Sequence, residues 1–305
     1  MLARLRSAFG RHPRVRAHYL HRYQRRRDAH PPTPVRSIAI CYYLPLDSPK
    51  IRHWNDGFVR AVDVLRRYYP EVDMLNFAER LPPRAELDAY DFVLAKSAFQ
   101  WSVTDHLYRI GLRTRRGICV SGHSVGIPYR QLYFFDVVYH QTYTYLPHVE
   151  DHPLTFHAYG INTSVMHPPS RPVAKTIDYL GVGTLRAYKN LTDLERFPGR
   201  RVVVGECVDA EGQRIRHRLL AAGIEYVDYM GADRLRQLYW TARRVVLSST
   251  LNGGGERVLL EARSCGTPVL LTRPNAKLEE LARSPIYDGE YYGQQLHAGI
   301  QHLCD

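Results

Sequence analysis

Short apolar runs recur along the chain, and most of them end in a polar or glycine-containing loop. In the first half, the runs cover residues 37–44, 72–76, 90–95, 116–121, 136–139 and 156–160. Between the first two runs, residues 58–69 carry apolar side chains at helical spacing. Apolar strands that alternate with helices are typical of a parallel sheet covered on both faces. The pattern therefore predicts an α/β domain in residues 36–168.

The same pattern repeats after a proline-rich linker at residues 168–172. Apolar runs at 177–182, 201–205, 224–228, 244–248 and 269–271 enclose helical stretches at 211–222 and 232–243. This predicts a second α/β domain over residues 173–287, with an arm at 1–35 and a helix in 288–305 that crosses back to the first domain. The expected fold class is α/β, with two doubly wound Rossmann-like domains that face a central cleft. Ligands bind at the carboxyl ends of such strands. The functional loops are therefore expected after the strands, at Gly57, Lys96, His123, Gly160, Lys189 and Gly253.

One loop has the composition of a phosphate site. Gly253, Gly254 and Gly255 follow an apolar run and precede a helix that is predicted to begin near Glu256. Glycines let backbone N–H groups approach a ligand closely, and a helix start adds unpaired N–H donors and a positive dipole end. The loop is consistent with a phosphate or diphosphate ligand, and an ordinary strand-to-helix turn is the alternative.

Positive charge is concentrated at the N-terminus. The net charge is +12, and residues 1–30 contribute +8 of it, from nine arginines and one aspartate. Such an arm suits binding to anionic headgroups or to nucleic acid. Leu2, Leu5 and Phe9 lie at helical spacing, which favours an amphipathic surface anchor, while a solvated first helix and a transit peptide are alternatives. Arg25–Arg27 and Arg115–Arg116 are expected to be solvated.

Several classes are excluded by composition. No apolar run is long enough to span a membrane, and residues 1–10 lack the apolar core of a secretory signal. The five cysteines are widely spaced without a CxxC pair, so neither a zinc site nor a disulfide framework is expected. His148, His152 and His157 with their acidic neighbours have no metal-binding spacing. A cytoplasmic location fits, either free or peripheral, at the inner face of a membrane or on DNA.

Four motifs, in order, resemble the GT-B glycosyltransferases, and most closely the retaining nucleotide-sugar family with an E-x7-E motif (glycosyltransferase family 4-like). They are YGINTSVMHP at 159–168, LGVGTLRAYKN at 180–190, YVDYMG with LRQLYWTA at 226–242, and LEARSCGTPV at 260–269. The resemblance is strong over about residues 156–272 and weaker before residue 150.

The resemblance implies roles for single residues. Lys189 matches the lysine that neutralises the donor diphosphate, and Glu261 matches the glutamate that binds the ribose hydroxyls. Gly231 falls where the backbone contacts the base, and His123 falls near the transferred sugar. The catalytic set implied is His123, Glu256 and Lys189, and the acceptor side holds Lys96 and His123. The donor-binding set is Gly57, Thr184, Arg186, Lys189, Gly231, Gly253, Gly254, Gly255, Glu256, Arg257 and Glu261.

The chain departs from the family at two of these positions. Gly253 stands where the first glutamate of E-x7-E is expected, and Glu256 either replaces it or caps the helix. Thr184 stands where an arginine is expected, so Arg186 or Arg257 would supply the second positive charge.

The sequence thus predicts a hexosyltransferase that takes a UDP- or GDP-sugar, with no cofactor and no metal; the resemblance also implies retention. The acceptor is a glycan, membrane-linked or free, or a modified base in DNA. A different class, a non-catalytic sugar-nucleotide or nucleic-acid binding protein with a degraded site, is the alternative.

Overall fold

The computed structural model describes residues 12–29, 32–52, 54–97, 102–120, 127–143, 149–250 and 254–304. These residues form two compact units. Unit 1 comprises the described residues of Met1–Asp47, Ala61–Ala158 and Glu290–Asp305, and unit 2 comprises those of Ser48–Arg60 and Tyr159–Gly289. No helix in these ranges is long and apolar enough to cross a bilayer.

Unit 1 is built on a six-stranded sheet in which every neighbouring pair is parallel. Its strands are β1 (Ser37–Tyr42), β2 (Glu71–Asn76), β3 (Phe92–Ser97), β4 (Arg115–Val120), β5 (Val137–His140) and β6 (Thr155–His157), in the order β2-β1-β3-β4-β5-β6. Four consecutive residues of β3, 92–95, are each 0% exposed. Burial of successive side chains means that both faces of the sheet are covered, as the apolar runs predict.

In unit 1, the helix over residues 57–68 matches the periodicity predicted for residues 58–69, whereas the sequence predicts no bounds for the short helices between the later strands. The helices of this unit are α1 (Pro13–Asp28), α3 (Gly57–Tyr68), α4 (Arg84–Leu87), α5 (Ser102–Arg109), α6 (Tyr129–Leu132) and α11 (Gly289–Gln301); the first turn of α3 and the first residue of α11 belong to unit 2. α11 packs within unit 1, where Tyr139 Oη donates a hydrogen bond to Leu296 O at 2.8 Å.

Helix α1 packs on unit 1 through one face. Tyr23 is 2% exposed, and its hydroxyl donates to Asp136 O at 3.1 Å. Arg26 pairs with the Asp136 carboxylate at 2.7 Å. Arg116 is 2% exposed; its backbone N–H donates to Asp136 at 2.9 Å and its guanidinium lies 4.2 Å from the Phe134 ring centroid. The expectation that Arg26 and Arg116 are solvated is therefore wrong, because both share a buried carboxylate that no local pattern reveals.

Unit 2 contains a five-stranded parallel sheet in the order β11-β10-β7-β8-β9. The strands are β7 (Ile177–Val182), β8 (Arg201–Gly205), β9 (Glu225–Asp228), β10 (Ala242–Leu247) and β11 (Val269–Leu271). The helices are α2 (Pro49–Arg52), α7 (Ala210–Ala221), α8 (Ala232–Thr241), α9 (Glu256–Ser264) and α10 (Ala276–Arg283). The strand order runs outward in both directions from the adjacent pair β7 and β10. Such a switch point leaves a crevice at the carboxyl ends of the two strands, where ligands bind in doubly wound sheets.

Candidate functional site

Two loops meet at the switch point of unit 2. One follows β7 and ends in a 3₁₀ turn at Ala187–Lys189, and the other follows β10 and leads to α9. Thr250 N donates to Tyr188 O at 3.1 Å, and Asn190 Nδ2 donates to Ser248 O at 3.1 Å. Asn275, the residue before α10, donates from Nδ2 to the carbonyls of residues 249 and 250 at 3.0 and 3.1 Å. Hydrogen bonds thus hold the loop that carries Lys189 to residues 248–250, where the chain leaves β10.

Lys189 lies against the glycine loop. A Cβ atom built on Gly254 would stand 3.0 Å from Lys189 Nζ, and Gly254 has a left-handed φ of +72°. The left-handed φ favours glycine at this position, and a side chain there would push the Lys189 ammonium aside. Burial lowers the pKa of the Lys189 ammonium to about 8, Glu256 opposes this shift, and the nearby positive charges of Lys277, Arg257 and Lys50 add to it. Lys189 is therefore mostly charged at neutral pH and becomes neutral above about pH 8.

Glu256 is the first residue of α9, and its carboxylate is buried, with 7% of the residue exposed. Its Oε1 forms an ion pair with Nζ of Lys277, a residue that is 0% exposed. Lys277 lies in the first turn of α10, and sequence reasoning missed it. A single lysine at the start of an amphipathic helix carries no signal that separates it from a solvated one.

Glu261 lies one turn further along α9 and is 7% exposed. Tyr239 Oη donates to its Oε2 at 3.0 Å, and Arg257 Nε lies 3.6 Å from its Oε1. Arg257 also contacts Asp56, with 3.3 Å between Nη1 and Oδ2. Burial raises the pKa of the Glu261 carboxyl, and Arg257 and the Tyr239 hydrogen bond reduce that rise. Glu261 is therefore a buried, oriented carboxylate and not a helix-surface residue.

Contacts within the protein account for Arg186 and Gly57 without a bound donor. Arg186 forms an ion pair with Asp209 and lies 3.6 Å from Glu211, so two carboxylates at the start of α7 neutralise it. Gly57 is the first residue of α3, where a Cβ atom would stand 1.9 Å from Gly160 O. Close backbone packing is thus sufficient to require this glycine.

The remaining predicted residues are distributed over both units. Thr184 is half-buried in the loop after β7, and Gly231 precedes α8 with an ordinary φ of −65°. Gly255 precedes α9 with φ +113°. Lys96 was expected in a loop; it lies instead within β3 of unit 1, paired in register with Cys119. His123 and Gly253 lie outside the described residues.

The histidine-rich segment has a structural role where it is described. His152 Nε2 lies 3.0 Å from Phe135 O, and its Nδ1 lies 2.8 Å from Leu154 O and 3.1 Å from Leu154 N. His157 ends β6 and lies 2.9 Å from the Tyr291 hydroxyl. His148 lies outside the described residues, within which no group of three His, Cys, Asp or Glu side chains could hold a metal.

Comparisons with known proteins identify the fold. No protein-family model matches the chain, and no curated protein matches its sequence. Among solved structures, HepE from Anabaena in complex with UDP matches with a TM-score of 0.59 at 13% identity, over 87% of this chain and 100% of that one. AviGT4, a glycosyltransferase involved in avilamycin A biosynthesis, matches with a TM-score of 0.57 at 15% identity, over 89% and 98% of the two chains. Sucrose-phosphate synthase from Thermosynechococcus elongatus matches with a TM-score of 0.54 at 14% identity, over 88% and 95%. The chain therefore has the α/β fold of the GT-B glycosyltransferases, as the motifs predict.

Proposed function

We propose that the protein is a glycosyltransferase that takes its sugar from a nucleoside-diphosphate donor bound in unit 2. The observation that carries the proposal is the position of Lys189. Its ammonium lies beside Gly254, just before the start of α9 and at the switch point of a parallel sheet. A cation and the N-terminus of a helix at such a crevice form a site for a diphosphate. The fold agrees, since HepE has it and was solved with UDP and with UDP-glucose.

Lys189 and the start of α9 are proposed to stabilise the nucleoside diphosphate as it leaves. In the transfer, the acceptor oxygen forms a bond to the anomeric carbon, and the bond from that carbon to the diphosphate breaks. The electron pair and the hydroxyl proton both leave with the diphosphate. Lys189 and the first N–H groups of α9 stabilise the charge that gathers there. In this proposal the transfer needs no metal, because these groups supply the positive charge.

Glu261 and Gly231 are proposed to hold the nucleoside. Tyr239 fixes one carboxylate oxygen of Glu261 at 3.0 Å, which orients the group for two ribose hydroxyls. Gly231 offers backbone groups to the base from the start of α8. UDP- or GDP-sugars are the proposed donors. Retention of configuration is proposed on the resemblance of the motifs alone.

Binding of UDP and GDP to the purified protein tests the proposal, with UDP-glucose hydrolysis as the readout of turnover. The Lys189→Met variant should lose binding, because the diphosphate loses its counter-charge. Lys175→Met is the matched control: Lys175 is an exposed lysine of unit 2 whose Nζ donates to Trp240 O at 2.8 Å. Wild-type protein that binds neither nucleotide would refute the donor assignment.

A second function is favoured by one position. Gly253 stands where the resemblance predicts a glutamate, which fits a protein that binds a sugar nucleotide without transferring the sugar. Nucleotide binding with no hydrolysis of any donor, and no product with any acceptor offered, would support this function and exclude the enzyme.

The acceptor is proposed to be membrane-linked, and the basis is the outer face of α1. Three arginines, Arg14, Arg22 and Arg25, share this exposed face at helical spacing with His18 and His21 between them. They supply attraction for an anionic surface. In the sequence that precedes them, Leu2, Leu5 and Phe9 have the spacing of the apolar face of a helix that inserts into a lipid surface. Binding to a DNA duplex depends on charge and does not need such an apolar face.

A further inference from the structure

Lys277 is a lysine removed from solvent beside the proposed diphosphate site. It is 0% exposed, and its Nζ pairs with Glu256 Oε1 at the start of α9. A buried ammonium ion is tolerated only when a partner compensates for its lost hydration. The pair therefore joins the first turn of α10 to the first turn of α9.

Glu256 lies between this lysine and the site. The point where a Cβ of residue 254 would stand is 3.4 Å from Glu256 Oε2 and 3.0 Å from Lys189 Nζ. One carboxylate oxygen thus pairs with Lys277, while the other lies on the side of Gly254 and Lys189. A free carboxylate there would repel an anionic ligand and compete with it for the N–H groups of the helix start.

We propose that Lys277 is a positioning residue whose buried ammonium holds and neutralises Glu256, so that Lys189 and the start of α9 remain available to a bound diphosphate. The inference rests on the proposed function, because that diphosphate is the one of the proposed donor. Lys277 acts through Glu256 and does not touch the ligand.

The charges around Lys189 determine how its pKa responds when Lys277 is removed. Those charges are Glu256, Lys277 and Arg257 in unit 2 and Lys50 of α2, of which Glu256 raises the pKa of Lys189 and the three cations lower it. Without Lys277, one lowering charge is lost and Glu256 becomes free to pair with Lys189. Both changes raise the pKa of Lys189 above its value of about 8.

Two variants test the proposal. Lys277→Met keeps the unbranched side chain up to the ε position and removes the ammonium, and the double variant Glu256→Gln with Lys277→Met removes both charges. UDP binding is measured by calorimetry at neutral pH. The pKa of Lys189 is measured without nucleotide, by competitive acetylation over a pH series with mass spectrometry of the peptide.

Lys277→Met is expected to weaken UDP binding by about tenfold or more and to raise the pKa of Lys189. The double variant is expected to return both quantities toward wild type, with UDP binding within about threefold, as a coupled pair requires. A double variant that binds UDP as weakly as Lys277→Met would overturn the proposal, since a loss of packing is not repaired by Glu256→Gln. If Lys277→Met does not fold, the double variant decides alone, and loss of its UDP binding overturns the proposal.

The outcome separates this inference from the proposed function. Wild-type protein that binds neither UDP nor GDP refutes the function, while the acetylation series still reports on the two lysines and Glu256. Wild-type protein that binds UDP, with a Lys189 pKa unchanged by Lys277→Met, refutes this inference alone.

Discussion

Gly254 and Gly266 share a backbone conformation but differ in their surroundings. Their φ angles are +72° and +74°. A Cβ at Gly254 would meet Lys189 Nζ at 3.0 Å and Glu256 Oε2 at 3.4 Å, whereas a Cβ at Gly266, after the end of α9, meets nothing within 4 Å. The same alanine substitution therefore separates backbone strain from damage to the site.

We expect Gly254→Ala and Gly266→Ala each to lower the free energy of unfolding by about 1 kcal/mol, because a left-handed φ disfavours a side chain. Only Gly254→Ala should also weaken UDP binding, since the new methyl group displaces the Lys189 ammonium. Urea unfolding measures the first quantity and calorimetry the second. Equal UDP affinities in the two variants would mean that Gly254 does not border the nucleotide site.

His152 makes the stability of the protein depend on pH. Burial lowers the pKa of its imidazole from 6.5 to about 4, although hydrogen bonds with the backbone at Phe135 and Leu154 reduce the shift. Between these two pKa values, the unfolded chain binds a proton at His152 that the native protein does not bind. Stability therefore falls as the pH is lowered from 6.5 to about 4, and below that the loss is complete.

The loss amounts to about 3 kcal/mol, because each unit of pKa shift is worth about 1.4 kcal/mol. Urea unfolding of wild type and His152→Gln between neutral pH and about pH 4 checks this expectation. The wild type should lose about 3 kcal/mol relative to the variant over that range. If the free energies of unfolding of the two proteins change equally with pH, the pKa of His152 is the same in the native and the unfolded protein.

At the residue scale, the sequence predicts site residues that belong to a motif, and it misses ion pairs between residues that are distant in the chain. Lys189 and Glu261 could be singled out because their neighbours in the chain define a pattern. Lys277 pairs with a residue of another helix, and Arg116 depends on Asp136, the residue before β5, which it shares with Arg26 of α1. Each of these pairs is a property of the packed fold. No periodicity or spacing distinguishes such charged residues from solvated ones.

At the scale of elements, the apolar runs predict each strand in the part of the chain that the structure describes, and the deviations occur at the strand ends. The apolar run of β3 stops at Ala95, but the strand continues, with Lys96 opposite Cys119 and Ser97 opposite Val120. Backbone hydrogen bonds extend a ladder regardless of side-chain polarity. A polar residue at the end of an apolar run can therefore belong to the strand, as Lys96 does.

The docking of α1 depends on one buried carboxylate. Asp136 is 4% exposed and accepts from Arg26 at 2.7 Å and from Arg116 N at 2.9 Å. Burial would raise the pKa of Asp136, but Arg26 and Arg116 hold it below its usual value. The carboxylate is therefore charged at neutral pH and compensates for the buried guanidinium of Arg116.

Asp136→Ala should lower the free energy of unfolding by about 3–5 kcal/mol, since it leaves a buried cation without its partner. Asp63→Ala is the control: Asp63 pairs with Arg66 at 3.4 Å, and its side chain is 45% exposed. Its loss should cost less than about 1 kcal/mol. Similar urea midpoints for the two variants would show that α1 is held by its apolar contacts alone.

At the scale of the whole molecule, the distribution of charge sets the expected partner. α1 packs Val15, Tyr19, Leu20 and Tyr23 against unit 1 and turns its basic face outward. The arm carries +8 of the total charge of +12. Some of its arginines, such as Arg26, form ion pairs within unit 1, and the exposed ones are available to a partner. Composition alone could not divide the arginines in this way, because the division depends on which face of the helix is buried.

Vesicle binding tests the proposal that this basic face binds a membrane. The protein should sediment with vesicles that contain phosphatidylglycerol and not with phosphatidylcholine alone, and less so as salt increases. Replacing Arg14, Arg22 and Arg25 with Gln should weaken binding on the order of a hundredfold, at about 1 kcal/mol for each charge.

The matched control replaces exposed Arg214, Arg234 and Arg283 with Gln and changes the net charge equally. An equal loss in this control would mean that total charge, and not the face of α1, drives the association. If the protein binds a DNA duplex more tightly than the anionic vesicles, and this binding depends on Arg14, Arg22 and Arg25, the acceptor is a nucleic acid. The α1 variant should leave UDP affinity unchanged, because its substitutions lie in unit 1 and the proposed donor site lies in unit 2.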